Sequence, residues 1–295
     1  MADIKIKQSP AERLFDVING GFLLVVAAFI MIPVLHVVAG AFSSTNAIVQ
    51  GQVGIWPVAF SWDNIHYVIA NSAFWKSFQI SILVVTIGTL LNIVLTVLTA
   101  YPLSKHDLKW RQGVIIYILI TMIFQAPLIP TFLVVKQLGM LNTLWALIIP
   151  SAISAFNMIL CLTFFRSLPE ELFEAARVDG MGEYRILYQI AVPLSKPIMV
   201  TLMLFYAVGH WNNFFSALIY VTKPTLRPLQ LYLYNVINGG STNESSSALL
   251  ESAMTVSPQG IQMATIVIST VPIVLIYPFI QKHFIKGALV GSLKE

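Results

Sequence analysis

The chain has 295 residues, of which 57% are hydrophobic and only 10% are charged, and its mean hydropathy is +0.80. Soluble domains carry about 25% charged residues, so this composition excludes an ordinary soluble protein. It predicts one polytopic membrane domain instead.

Six apolar stretches are each long enough to cross a bilayer, which takes about 20 helical residues. In chain order they cover residues 21–42, 78–103, 113–135, 142–165, 198–221 and 262–284. The sequence therefore predicts an all-α fold with six transmembrane helices. The first stretch also has the basic tail and the Ala39-Gly40-Ala41 sequence of a cleavable signal peptide. Its length and Pro33 favour a retained membrane anchor over that alternative.

The basic residues lie mostly on one side of the predicted membrane. Thirteen of the 17 Lys and Arg residues fall in the N-terminal tail, the 2–3 loop, the 4–5 loop and the C-terminal segment. The other four are Lys76, Lys136, Lys223 and Arg227. Because cytoplasmic loops are rich in Lys and Arg, both termini are predicted to be cytoplasmic. This distribution also explains the net charge of +4 without a nucleic-acid partner.

The predicted topology divides the chain into three parts. Residues 1–20 form a cytoplasmic tail, residues 21–285 form the six-helix transmembrane domain, and residues 286–295 form a second cytoplasmic tail. Within the transmembrane domain, the predicted outward loops are 43–77 and 222–261, and the inward loop 167–197 joins spans 4 and 5.

The spans contain neutral polar side chains. Tyr206, His210 and Asn213 recur at helical spacing in span 5. Aromatic rings beside amides suit a sugar, which offers apolar ring faces and hydroxyl groups. The candidates for a substrate path are Gln125, Asn157, Tyr206, His210, Trp211, Asn212 and Asn213. Polar side chains also bond helix to helix in membrane bundles, and this alternative remains open.

No acidic residue lies deep in a predicted span, which argues against ion-coupled transport. The sequence has no GxxxxGK[ST] phosphate loop, no HExxH, no GxSxG and no cysteine pair with metal-ligand spacing. The five histidines are scattered over different spans and loops. We therefore predict a chain without catalytic residues, metal or cofactor of its own. A membrane enzyme or an ion-coupled secondary transporter is the alternative from another class.

The passage PEELFEAARVDGMGEYRILYQIAVP, at residues 169–193, is polar and lies between spans 4 and 5. Ser167 and Pro169 are typical of a helix start, and Gly180 is typical of a helix end, so a helix is predicted through Asp179. A second helix is predicted over 183–191, ending before Pro193. On the first helix, the apolar side is expected to hold Leu172, Phe173 and Ala176, and the outward side Glu170, Glu174 and Arg177.

This passage resembles the EAA loop of bacterial ABC importer permeases, whose pattern is EAAxxxG, nine residues, and then Ile-x-Leu-Pro. The chain has Glu174-Ala175-Ala176, Gly180, Ile190 and Val192-Pro193 at that spacing, and Val192 is the one departure. Four segments resemble carbohydrate permeases of the MalG type: LGMLNT (138–143), FFRSLPEELFEAARVDG (164–180), Trp211-Asn212-Asn213 and the tail that contains Lys286-Gly287. Within these, the chain is similar to the LplC/YtcP group, which is associated with complex or uronate-containing oligosaccharides.

The resemblance implies a type I ABC importer fold in which residues 169–180 form a coupling helix that docks on a cytoplasmic ATPase. The implied ATPase-coupling residues are Glu170, Glu171, Glu174, Ala175, Ala176, Asp179, Gly180, Ile190 and Pro193. It also implies a MalF-type partner permease, two ATPase subunits that bind ATP and Mg, an extracytoplasmic solute-binding protein and an oligosaccharide substrate. The location would be the inner membrane of a prokaryote. A non-sugar solute in the same machinery, such as a peptide, phosphate or a metal ion, remains the alternative.

Overall fold

The computed structural model describes residues 9–124, 126–239 and 256–292, and in the last helix it describes side chains only as far as 276 and at 278. The regular secondary structure of this part of the chain is helical, apart from one isolated bridge between Ser43 and Phe60, which confirms the all-α prediction. The helices are α1 (Pro10–Ala41), α2 (Thr45–Val49), α3 (Asp63–Ala70), α4 (Ser72–Ser104), α5 (Arg111–Ile123), α6 (Leu128–Gln137), α7 (Trp145–Ile148), α8 (Ala155–Arg166), α9 (Glu170–Val178), α10 (Glu183–Ile186), α11 (Val192–Leu194), α12 (Lys196–Asn212), α13 (Phe215–Tyr220), α14 (Leu229–Ile237) and α15 (Pro258–Ser292).

Three of these helices are long and apolar enough to cross a membrane, namely α1, α4 and the part of α15 from Pro258 to Ile276. Three further pairs reach that length only when taken together: α5 with α6, α7 with α8, and the segment Glu183–Leu194 with α12. The described residues therefore offer three spans, or up to six when each broken pair is one span.

The broken pairs correct the continuous helices predicted for spans 3, 4 and 5. Span 3 has a gap between Ile123 and Leu128, where Pro127 precedes the second helix. In span 4 the two parts are bent by 52°. The third broken pair lies before span 5, where the segment Glu183–Leu194 and α12 are bent by 83°. Within the predicted span 5, the helix is interrupted at Asn213, between α12 and α13. Proline has no backbone N–H to donate, and a capping side chain can bond a backbone N–H in place of a helical carbonyl. Either effect ends a helix inside an apolar run.

The backbone divides into two compact units. The first comprises residues 1–71 and 239–271, and the second comprises residues 72–238 and 272–295. In the first unit, the buried Asn64 donates its side-chain amide to the carbonyl of Ser43 at 2.9 Å and also to that of Ala41 at 3.3 Å. It thereby satisfies carbonyls that the end of α1 leaves without helical partners.

The second unit is built around α4, which packs on α8 and α12. Its largest buried apolar cluster joins the last turns of α4 to α8, α9 and the first half of α12. Tyr101, Phe165 and Phe173 supply aromatic rings to it, and the Tyr101 and Phe165 rings meet edge to face with their centroids 5.9 Å apart. Residues 167–197, which follow α8 and are called the polar hairpin below, are therefore anchored to the same core as α4, α8 and α12.

Candidate functional site

Helix α9 carries the acidic part of the polar hairpin. It starts at Glu170, with Pro169 as its N-cap, and Glu170 and Glu171 lie in its first turn, where the helix dipole favours negative charge. The prediction that Ser167 caps this helix is wrong. Its hydroxyl donates to the Phe164 carbonyl at 2.8 Å, so it belongs to the end of α8.

The two faces of α9 have different roles. Phe173 and Ala176 are buried in the core cluster. Ala175 and all the charged residues of the helix, including Glu174, are exposed. Leu172 is 43% exposed, which corrects its predicted place on the buried side, because it lies at the edge of the face that Phe173 and Ala176 define. The small side chain of Ala176 serves packing within the chain, and only Ala175 is available to a partner on the exposed side.

The end of α9 is fixed by a glycine. The helix ends at Val178 with Asp179 as its C-cap, and Gly180 follows with φ of +77°. The amide of Gly180 donates to the Arg177 carbonyl and the amide of Met181 donates to the Ala176 carbonyl, each at 3.0 Å. These two bonds form a Schellman motif, which needs a left-handed residue at this position. Gly180 therefore sets the length of the exposed helix.

The second half of the hairpin differs from the single helix predicted over 183–191. Helix α10 ends at Ile186, a π turn covers Leu187–Ala191, and α11 runs on through Pro193 to Leu194. The predicted end before Pro193 is wrong, because this proline lies in the first turn of α11, where its missing amide breaks no bond. Ile190 is partly buried against the core cluster and Pro193 is exposed.

Exposed apolar side chains flank the acidic face, and the sequence reasoning missed them. Val178 is 87% exposed, Tyr184 85% and Tyr188 77%. The four-residue spacing of the two tyrosines, within a polar passage, was the available signal, because it places both rings on one helical face. Isolated exposed apolar residues are common, but three beside an acidic helix are typical of a protein-binding surface.

One carboxylate joins the hairpin to α4. The Glu183 carboxylate accepts hydrogen bonds from the Arg177 Nε at 3.0 Å and from the Tyr101 hydroxyl at 3.0 Å. The bond with Glu183 raises the pKa of Arg177 above its ordinary value. Beside it, the Lys105 ammonium lies 3.9 Å from the centroid of the Phe173 ring, and burial lowers the pKa of this lysine. The hairpin is thus attached by charge as well as by packing.

A polar cluster lies where α4 packs on α12 within the second unit. The hydroxyls of Thr96 and Tyr206 are 2.6 Å apart, and the backbone amide of Ser154 donates to the Tyr206 hydroxyl at 3.2 Å. One turn away, the Asn92 Nδ2 is 3.1 Å from the His210 Nε2. Tyr206 and His210 therefore share the predicted face, and that face bonds to the neighbouring helices.

Some buried polar atoms on α4 and α12 have no hydrogen-bond partner among the described residues. Among the residues that the structure describes, Thr89 Oγ1, Asn92 Oδ1 and Trp211 Nε1 are buried without a hydrogen-bond partner. An unsatisfied buried polar group costs roughly 1–3 kcal/mol. The Asn92 Oδ1 is an acceptor, the Trp211 Nε1 is a donor, and the Thr89 hydroxyl can do either, so these atoms are suited to meet water or the hydroxyls of a ligand.

The remaining path candidates are placed less centrally. Asn157 is buried on α8, Asn212 is exposed, and Trp211 packs edge to face on Phe78 with ring centroids 6.1 Å apart. Asn213 does not share the predicted face, because α12 ends at Asn212. The Asn213 side-chain oxygen instead accepts a hydrogen bond from the Ser216 amide at 3.1 Å. Gln125 lies outside the described residues.

Asn142, which lies between α6 and α7, joins two loops. Its backbone has φ of +58°, and its amide donates to the Tyr220 carbonyl at 3.0 Å. Its side-chain oxygen accepts from the amide and hydroxyl of Thr222 and from the Lys223 amide, at 2.7–3.0 Å. This asparagine of the LGMLNT segment therefore clamps the loop before α7 to the loop after α13.

No metal site accompanies these features in the described part of the chain, where no three His, Cys, Asp or Glu side chains converge. The described residues thus form an exposed acidic helix that is linked through α4 to a buried polar cluster. An exposed helix attached to a long helix in this way can contact a protein and displace the long helix.

Comparison with known proteins identifies the family. A model described as binding-protein-dependent transport system inner membrane component matches residues 108–289. The chain belongs to this family. It is accordingly a membrane permease subunit of the ABC transporter class, and the family resemblance of the EAA passage is confirmed.

Relatives match the chain over nearly its whole length. The polygalacturonan/rhamnogalacturonan transport system permease protein YtcP of Bacillus subtilis is 41% identical, over 96% of this chain and 99% of its own length. Protein LplC of the same organism is 42% identical over all of both chains. A chain in the crystal structure of a bacterial ABC transporter involved in the import of the acidic polysaccharide alginate superposes with a TM-score of 0.89. That chain is 32% identical, over 95% of this chain and 100% of its own length.

Proposed function

We propose that this permease forms half of the translocation pore of an ATP-driven importer of acidic, uronate-containing oligosaccharides. The observation that carries the proposal is the full-length similarity to YtcP, whose name gives polygalacturonan and rhamnogalacturonan, together with the match to the alginate transporter chain. Both polygalacturonan and alginate are built from sugars that carry a carboxylate. The simplest explanation is that this permease and these relatives carry solutes of the same kind, oligosaccharides with carboxylate groups.

The proposed energy input is a separate ATPase subunit that docks on α9. The exposed Glu174 and Ala175 face outward, and Gly180 limits the helix to nine residues. The flanking Val178, Tyr184 and Tyr188 would add apolar contact area around the charged centre, as protein interfaces do. ATP and Mg would be bound by the ATPase subunits, and the permease would contribute no catalytic group.

The proposed topology has six spans and both termini in the cytoplasm. The three long helices, the broken pairs α5–α6 and α7–α8, and α12 followed by α13 would supply the six spans. Of the 17 basic residues, 13 fall on the predicted inner side. In this orientation the hairpin 167–197 faces the ATPase and the loops joined by Asn142 face outward. A second, MalF-type permease would complete the pore, and a solute-binding protein would deliver the oligosaccharide.

The proposed substrate path passes the polar cluster on α4 and α12. Tyr206 and His210 are bonded to α4, so they would shape the path, whereas the unsatisfied Trp211 Nε1 is a donor suited to a sugar oxygen. ATP-driven closure of the ATPase pair would switch the path from inward-facing to outward-facing. A loaded binding protein contributes by binding one of these states better than the other.

The test is the stimulation of ATP hydrolysis in the reconstituted complex. Binding protein loaded with oligogalacturonide is expected to stimulate hydrolysis several-fold over unloaded protein, and a neutral oligosaccharide of the same length is expected to have no effect. Stimulation by the neutral sugar alone would refute the acidic substrate. Absence of any ATPase subunit from the purified complex would refute the importer itself.

A further inference from the structure

Glu183 bridges α9 and α4, which also pack on each other in the core cluster. It accepts from Arg177, at the end of α9, and from the buried Tyr101 hydroxyl on α4, both at 3.0 Å. The two donors bind different oxygens of one carboxylate. A displacement of α9 that carries Arg177 with it therefore acts directly on α4.

A second contact runs parallel to this bridge. The Lys105 ammonium lies just after α4, 3.9 Å from the centroid of the Phe173 ring on α9 and 4.7 Å from that of Tyr101. A cation over an aromatic face contributes attraction that depends on its distance and orientation. The bridge and the cation–π contact together hold the end of α4 in a defined position on α9.

Helix α4 continues from this joint to the polar cluster. Thr96, which bonds Tyr206, is five residues from Tyr101 on the same helix. At roughly 1.5 Å per residue, that separation is only about 7.5 Å along the helix axis. A shift at Tyr101 thus reaches the bonded pair Thr96–Tyr206 without passing through a loop.

We infer that Glu183 is the positioning residue that transmits displacement of the docked helix α9 to α4, and through α4 to the polar path. The inference rests on the proposed function, in which α9 docks on an ATPase subunit. The ion pair itself contributes little to folding, because the Arg177 and Glu183 side chains are 36% and 54% exposed. Loss of transmission is therefore separable from loss of the fold.

The test uses the full transporter complex in proteoliposomes, with loaded binding protein outside. Glu183→Ala removes the bridge, and Tyr101→Phe removes only a buried hydroxyl that an ATPase subunit does not reach. In both variants the ATPase subunits are expected to remain in the complex, while the oligosaccharide imported per ATP falls roughly three- to tenfold. The double variant is expected to match the single variants, because all three lose the same link.

Gln189→Ala is the matched control. It removes a hydrogen bond of the same length, 3.0 Å from Arg185 Nε, that stays within the hairpin and does not reach α4. Its import per ATP is expected to equal that of the unmodified complex.

Three results would overturn the inference: an unchanged import per ATP in both single variants, a double variant whose loss is the product of the single losses, or a Tyr101→Phe complex that is less abundant but fully coupled. Failure of the proposed docking is recognised separately. A Glu174→Lys complex that keeps its ATPase subunits and normal uptake would refute docking on α9, whatever the Glu183 variants do.

Discussion

Replacing Gly88 by alanine should break the contact between α4 and α12 at His210. A Cβ at position 88 would lie 2.6 Å from the His210 Nε2 and 2.8–2.9 Å from the adjacent ring carbons. Optimal separations are about 3.5–4.0 Å, so the ring must retreat by about 1 Å. That retreat also removes the bond between Asn92 and His210, which is 3.1 Å long.

The expected cost combines two effects. Overpacking of a well-packed core costs about 1–3 kcal/mol, and loss of one hydrogen bond costs about 1 kcal/mol. A total of about 3 kcal/mol corresponds to a fall of about 6–12 °C in the thermal unfolding midpoint for a domain of this size. The measurement is the unfolding midpoint of the purified complex in detergent, followed by tryptophan fluorescence.

Two further variants make this prediction refutable. Gly113→Ala adds the same methyl group to α5 in open space, so it is expected to leave the midpoint unchanged or slightly raised. In a His210→Ala background, Gly88→Ala is expected to cost less than about 1 kcal/mol, because the ring that it meets is gone. An equal cost of Gly88→Ala in both backgrounds would contradict the proposed contact.

The remaining predictions concern the docking helix, its end and the outward clamp. Glu174→Lys reverses an exposed charge and should lower ATPase co-purification about tenfold, or about 1.4 kcal/mol, whereas an unchanged yield would exclude this residue from the interface. Gly180→Val forces a β-branched residue to φ of +77°, so the same co-purification assay should show weakened docking with normal membrane insertion. Asn142→Ala removes the acceptor of three hydrogen bonds and a residue type that tolerates the left-handed conformation. It should lower the unfolding midpoint by an amount equivalent to about 2 kcal/mol. Asn238→Ala, which loses one local hydrogen bond, is the control.

Local chemistry made the docking helix predictable from the sequence. The proline before two glutamates and the glycine ten residues after the first glutamate specify where α9 starts and ends, without reference to the rest of the chain. The errors at Ser167 and Pro193 have the same origin. A serine can start a helix or end one, and a proline can follow a helix or lie in its first turn. The packing of α8 places Ser167 at a helix end, and the π turn places Pro193 in the first turn of α11, whereas the sequence pattern favoured the other role in each case.

The links between distant elements could not be predicted in this way. Tyr101 and Glu183 are 82 residues apart, and Asn92 and His210 are 118 residues apart, so no local pattern pairs them. The periodicity of Tyr206 and His210 did predict a shared face, but it could not distinguish a face toward a substrate from a face toward α4. The helix break at Asn213 was equally hidden, because it depends on a cap formed with Ser216 inside an apolar run.

The most direct test of the central claim is ATP-dependent uptake by proteoliposomes that contain this permease, its partner permease and the ATPase subunits. With ATP inside and loaded binding protein outside, labelled oligogalacturonide is expected to accumulate, and omission of the ATPase subunits is expected to abolish accumulation. Equal accumulation without the ATPase subunits or without ATP would contradict the account and would favour a secondary transporter.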